Sequence, residues 1–268
     1  MHSLNHLLET YIYNEENKKQ HLLSTGFKAL DNKIRGFYET ELVVVGGRPG
    51  MGKTQLLVEM ALRMSNEAPV VYYSLCQTEQ LIVERFSCAV QGYIEFGINI
   101  SKQQLFIYSL VFNTYEEFEQ QCQNAMKEHN VKIIMIDYLQ LMFSSPMESI
   151  NEDGNFVMSK LKEFARRNDI CIIVAAQLNR ESEYRSGHEG KKPQLSDLCT
   201  SGAIEQQADK VILIHRPAYY KIWEDEKGND ISQIMELNVA KNRNGKQISL
   251  NMQIANNKVN ILDNAILF

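Results

Sequence analysis

The octapeptide Gly47-Arg48-Pro49-Gly50-Met51-Gly52-Lys53-Thr54 constrains this chain more than any other feature. It fits the spacing GxxxxGK[ST], follows the apolar run Glu41 to Val45, and opens a segment of helical periodicity from Lys53 to Ser65. Its glycines let backbone N–H groups turn inward around phosphate oxygens, and the helix start adds partial positive charge. In such a loop Lys53 reaches the terminal phosphates and the Thr54 hydroxyl ligates Mg²⁺. The expected ligand is therefore a nucleoside triphosphate with its metal, ATP and Mg²⁺, held by the residues from Gly47 to Thr54.

The remaining pattern agrees with that local one. Apolar runs at Val70–Leu75, Lys132–Ile136, Cys171–Ala175 and Lys210–Ile214 alternate with helix-period segments at Thr78–Val90, Thr114–His129 and Phe156–Arg167. A strand–helix alternation of this kind predicts an α/β fold with a mainly parallel sheet covered by helices on both faces. After Lys210 the character changes: Ile234–Ala240, Gln247–Ile254 and Lys258–Leu262 are separated by NRNG and ANN turns, which predicts an antiparallel extension of the sheet. A long polar loop is expected before Lys210. The run Ile133–Ile136 ends in Asp137, and a carboxylate at the C-terminal end of a parallel strand stands beside the phosphate loop, where it can hold Mg²⁺ through water.

Composition narrows the function classes. With 268 residues, 44% hydrophobic, 23% charged and 5 Pro, the chain is neither disordered nor fibrous. The five cysteines, Cys76, Cys88, Cys122, Cys171 and Cys199, include no CxxC spacing, so neither a zinc site nor a disulfide framework is expected. No stretch approaches the apolar length of a membrane span and the N-terminus is too polar for a secretory signal, which predicts a cytoplasmic location. The net charge of −5 means that any contact with DNA is local, or is concentrated by a ring-shaped assembly.

Seven segments, STGFKALDNKIRGF, GGRPGMGKT, YYSLCQTEQL, VKIIMIDYLQLM, AAQLNRESE, LSDLCTSGAIEQQAD and KNRNG, occur in an order that resembles the C-terminal, RecA-fold motor domain of DnaB-type replicative helicases. The resemblance covers roughly Ser24 to the C-terminus, and IDYLQLM and SGAIEQQAD are its most specific parts. It implies a RecA-like P-loop NTPase that forms a ring of identical subunits, a hexamer by the family's habit, with nucleotide between subunits and single-stranded DNA in the channel. It also implies roles. Lys53, Thr54 and Asp137 are the phosphate and Mg²⁺ residues, Gln177 senses the γ-phosphate, and Lys241 and Arg243 reach the neighbouring subunit's nucleotide, Arg243 as the finger. Read from spacing alone, Lys241 and Arg243 flank an Asn-Gly turn and are solvated.

Two departures from the family pattern bear on turnover and DNA binding. Where the family has Ser-Leu-Glu, with the Glu polarising water, this chain has Ser74-Leu75-Cys76 in a turn one residue shorter, and a thiol is a poor base for water. Glu79 is the nearest acid, either brought forward as a substitute or simply a first-turn helix residue. Where the family has DLRESG, this chain has Asp197-Leu198-Cys199-Thr200-Ser201-Gly202, which removes a phosphate-binding Arg. A second channel-loop candidate, Ser144 to Asn155, carries Glu148, Glu152 and Asp153 without Lys or Arg. Arg180, Arg185, Lys191, Lys192 and Gly202 remain as DNA-contact candidates, although Glu181, Glu183 and Glu189 are interleaved with them and a mixed-charge solvated loop explains the segment equally well.

The division expected is residues 1–23 as a linker helix, with Leu4, Leu7, Leu8 and Tyr11 on one face, plus linker, then residues 24–268 as the motor domain. In the family such a helix docks on the adjacent motor domain; packing on its own domain is the alternative. Two functions follow: an ATP-dependent DNA translocase or helicase acting in replication, or a hydrolysis-impaired relative that uses nucleotide as an assembly or regulatory signal.

Overall fold

The computed structural model describes residues 22–95, 103–142, 150–199, 201–254 and 261–262, together with residue 4. The helix expected around Leu7, Leu8 and Tyr11, Glu148 in the second channel-loop candidate, Thr200, and the strand residues before Ile261 lie outside the described residues.

The first elements form a small antechamber to the sheet. A two-stranded antiparallel ribbon pairs β1 (Leu22–Leu23) with β2 (Phe37–Tyr38) around helix α1 (Lys28–Ile34), none of which the sequence periodicity signalled. Asp31 organises this turn by accepting from the Ser24 hydroxyl at 2.7 Å and from the Thr25 N–H at 2.9 Å.

The main sheet has nine strands in the order β11-β10-β9-β8-β3-β7-β6-β4-β5. Its parallel part comprises β3 (Leu42–Gly47), β4 (Val70–Ser74), β5 (Leu105–Ser109), β6 (Ile133–Asp137), β7 (Cys171–Gln177) and β8 (Lys210–His215). Every residue of β3 is buried, as expected for a central strand covered on both faces. Side-chain alternation sends Val43 and Val45 to one core and Leu42 and Val44 to the other. The first core receives α1, α2 (Lys53–Met64) and α3 (Glu79–Glu95); the second receives α4 (Tyr115–His129), α5 (Ile150–Asn168) and α8 (Ser201–Gln207). Thr114 caps α4 through its hydroxyl, which accepts from the Glu117 N–H at 3.2 Å, and Asn130 closes it in the left-handed conformation.

β9 (Ile234–Asn242), β10 (Ile248–Ile254) and β11 (Ile261–Leu262) add antiparallel to β8, and the burial of β9 alternates, as it should for a strand with one face on the core. The predicted mainly parallel sheet with helices on both faces and an antiparallel extension is thus the fold observed. Three expectations need correction. β5 pairs with β4 at the sheet edge, yet its residues are only half-buried and its run LFIYS was too short to stand out. Helix α5 begins at Ile150 rather than Phe156, so residues 150–155 of the supposed channel loop are helical. The polar segment before β8 is not one loop: it holds α6 (Glu181–Tyr184), α7 (Gly187–Lys191) and α8.

Candidate functional site

The C-terminal ends of the parallel strands converge on one cleft. Register places Gly47 of β3 opposite Gln177 of β7, and Ser74 of β4 opposite Asp137 of β6. The cleft holds about 550 Å³ and is lined by Pro49, Gly50, Gly52, Lys53 and Thr54 of the loop, by Cys76, Gln77 and Arg85, by Asp137, Tyr138 and Gln177, and by Arg216, Ser232, Gln233, Met235 and Ile254. A volume of this order suits a nucleotide-sized ligand.

The loop takes its shape from two glycines with positive φ, Gly50 at 79° and Gly52 at 98°. A Cβ on Gly52 would also stand 2.9 Å from the Met235 methyl carbon, so the position demands glycine on two counts. Gly52 is the N-cap of α2 and leaves the helix's first N–H groups facing the cleft. Three loop residues expected at the phosphates do not line the cleft. Gly47 ends β3, Met51 is buried in the core, and Arg48 turns away, donating at 2.8 Å to the Leu178 carbonyl and at 2.8 Å to Glu183 on α6. Arg48 therefore braces the loop against the segment that follows β7.

Lys53 donates from Nζ to the carbonyls of Gly47 at 2.8 Å and Arg48 at 3.1 Å. Burial draws its pKa down to about 8, against the opposing pull of Asp137. Asp137 is buried, with Tyr72 donating to its Oδ2 at 3.1 Å and the Thr54 hydroxyl also bonded to it. Burial raises the Asp137 pKa, while Thr54, Tyr72, Lys53 and Arg85 each pull it back. Thr54 and Asp137 thus present hard oxygen donors side by side beside the loop lysine, a donor set that suits Mg²⁺ retaining several waters. Gln177 presents its side chain to the cleft while its backbone is fixed by Gln140, which accepts from the Gln177 N–H at 3.1 Å.

Cys76 is also at the cleft, and exposed. Desolvation and then the neighbouring Asp137 raise its thiol pKa, so at neutral pH it is a protonated thiol and not a base. Glu79 is the first residue of α3 and does not line the cleft.

Lys241 and Arg243 do not line this chain's own cleft. Both cap the C-terminal end of α8: Lys241 donates to the Glu205 carbonyl and Arg243 to the Gln206 carbonyl. The Arg243 N–H donates to the Asp209 carbonyl at 2.9 Å, and Asn244 ties the turn to the buried Glu41 at 2.7 Å. Of the basic candidates after β7, Arg185 bonds to Asp197 at 2.6 Å and to the Lys192 carbonyl, Lys191 donates to the Glu183 carbonyl, and Lys192 pairs with Glu189 and Glu236. Arg180 is exposed, and Gly202 faces open space.

The chain matches the DnaB-like helicase C terminal domain across residues 23–96 and 91–262. It belongs to that family. The replicative DNA helicase DnaB of Rickettsia conorii is 32% identical over 267 residues, covering 83% of this chain and 53% of that protein. The chain spans about half the length of the curated relatives it matches. Among solved structures, a helicase ATPase domain superposes with a TM-score of 0.82 at 24% identity, over 98% of this chain and 99% of that one. A DnaB-like replicative helicase, described together with its interactions with primase, superposes at 0.81 and 25% identity, over 98% of this chain and 67% of its own. The fold of this DnaB-like chain is therefore a RecA-like ATPase fold, and among the described residues no helix is long and apolar enough to cross a membrane.

Against this DnaB-like background, sequence reasoning missed Arg216. It follows β8 at the same sheet edge as the loop, lines the cleft, and its Nε is buried without a hydrogen-bond partner, while burial lowers its pKa. The signal was available: an Arg just past the C-terminal end of an apolar parallel strand lies where α/β sheets bind ligands.

Proposed function

We propose that the chain is the ATP-dependent motor of a cytoplasmic DNA helicase acting in replication, with residues 24–268 as the motor and the residues before them as a linker. The observation that carries this is the convergence of Lys53, Thr54, Asp137 and Gln177 on one nucleotide-sized cleft. Lys53 and the α2 N-terminus hold the phosphates, and Thr54 with Asp137 holds Mg²⁺, which supplies charge neutralisation at the transferring phosphoryl group. Gln177 reads the terminal phosphate. Lys241 and Arg243, absent from the cleft of their own chain, serve the nucleotide of a second copy, which makes the working unit a ring of several copies. Single-stranded DNA is the partner inside that ring, with Arg180 and Gly202 the candidates left open to it.

The test is thermal denaturation with and without millimolar Mg-ATP. A ligand selective for the folded state raises the melting temperature. Wild type should show the rise and Lys53→Ala should lose it; a wild type with no rise overturns the nucleotide reading.

One observation favours slow turnover within this same reading: the side chain at the cleft where the family carries its water-activating Glu is the neutral thiol of Cys76. In that form nucleotide drives assembly more than translocation, and the steady rate of phosphate release with single-stranded DNA separates the two.

A further inference from the structure

We infer that Tyr72 is a positioning residue for the metal carboxylate, acting through Asp137; the inference rests on the nucleotide reading above. Tyr72 lies on β4, in register with Met135, two residues before Asp137 on β6. The two side chains are therefore diagonal neighbours on one face of the sheet. The Tyr72 ring is fully buried and packs edge-on against Phe86 of α3, with centroids 5.3 Å apart and planes at 88°. That packing fixes the ring, and the fixed ring delivers its hydroxyl to Asp137 Oδ2 at 3.1 Å.

The geometry gives each donor around Asp137 a separate task. Tyr72 approaches from inside the core and Thr54 from the phosphate loop, so the carboxylate is gripped from behind while it stays open to the cleft. A buried carboxylate needs such donors, because an acceptor left without one loses its water and gains nothing in return. A phenol is well suited to this place: its O–H remains a donor across the physiological range, and burial pushes its own ionisation further away. It cannot reach the metal itself without abandoning both Phe86 and Asp137. Tyr72 thereby sets the plane in which Asp137 offers its remaining lone pairs to the hydrated cation, as partners behind ligating carboxylates do elsewhere. Nothing in the phosphate-loop motif announces this residue, since it stands in an apolar strand as one of two adjacent tyrosines.

The variant is Tyr72→Phe, which keeps the ring and the contact with Phe86 and removes the hydroxyl. The readout is direct binding of ADP to the full chain, followed at rising Mg²⁺ from none to tens of millimolar, with melting temperature recorded alongside. The half-saturating Mg²⁺ should rise about tenfold, the lower end of what outer partners of metal ligands contribute. ADP affinity without Mg²⁺ should be unchanged. Asp137→Asn should lose the Mg²⁺ dependence, and adding Tyr72→Phe to it should change that dependence no further. A Tyr72→Phe chain with a lower melting temperature but wild-type half-saturating Mg²⁺ makes the hydroxyl merely structural and overturns the inference. Equal loss of ADP affinity with and without Mg²⁺ overturns it too. Failure of the wild-type chain to bind ADP at any Mg²⁺ concentration instead removes the nucleotide reading on which it rests.

Discussion

The phosphate loop with Asp137 and the hairpin that carries Lys241 and Arg243 are both rich in charge, yet they are built in opposite ways. Around the loop the charged groups are buried or half-buried and turned toward a shared cleft. At the hairpin Arg243 is 47% exposed, and both cations are spent on the backbone carbonyls of their own α8. The lesson is about where completeness lies. One chain contains everything needed to hold a nucleotide and its metal, whereas the groups that would assist hydrolysis are stored on a different edge. A storage contact between a solvated cation and a helix end is cheap to break, on the order of 0.3–1 kcal/mol, so docking of a second copy can release the pair.

The largest expected effect breaks the comparison if it is absent. Arg243→Ala should lower phosphate release by about 10³-fold, the lower bound for an arginine finger, while leaving nucleotide affinity of the dilute chain unchanged. An equal loss in both would move Arg243 into the cleft side of the comparison.

Cys76→Glu sharpens it next. With Lys53, Thr54, Asp137 and Gln177 already at the cleft, a carboxylate in place of the thiol should raise steady-state phosphate release by about 10²-fold. Rapid DNA-stimulated release by the unaltered chain would show that Glu79 or another acid already serves.

The third effect concerns what holds the hairpin. Glu41 and Lys210 form a buried ion pair with distances of 2.5 and 2.6 Å, and Glu41 also accepts from Asn244 in the turn. Glu41→Ala leaves the Lys210 ammonium buried and alone, and should cost about 3–5 kcal/mol in urea denaturation. Lys210→Met together with Glu41→Leu should restore most of that stability but leave the turn untethered, and so separate folding from hairpin placement.

The smallest effect is a pH dependence of the cleft. Lys53 has its pKa lowered to about 8 from 10.5. As pH rises through that value the ammonium loses its charge, and affinity for nucleotide phosphates should fall by up to about tenfold per pH unit. Stability moves the other way. Between about pH 8 and 10.5 the unfolded chain holds a proton on Lys53 that the folded chain does not, so this group's contribution makes folding more favourable as pH rises through that window. A melting temperature and an affinity that fall together would contradict the assignment of the shift to burial of Lys53.

How much of this was legible in the sequence followed from how local the determinant was. Gly47 to Thr54 and Ile133 to Asp137 were readable because an apolar strand, a glycine turn and a helix-period run are adjacent in the chain. β5 was not, because a short, half-buried edge strand needs β4 beside it to become a strand at all. Tyr72 and Arg216 were hidden for a related reason: each gains meaning from a partner strand or from the cleft, at separations of 65 residues to Asp137 in one case. Arg185, Lys191 and Lys192 were read as free cations because their partners, Asp197, the Glu183 carbonyl and Glu236, come from turns and a distant strand.

The claim that matters most is that the nucleotide site is completed by a second copy, and native mass measurement tests it most directly. With Mg²⁺ and a non-hydrolysable ATP analogue the chain should form assemblies larger than a dimer, and Arg243→Ala should shift them toward smaller species while single subunits still carry nucleotide. A chain that stays monomeric at every nucleotide and protein concentration, or an Arg243→Ala chain that assembles and hydrolyses like the wild type, would contradict it.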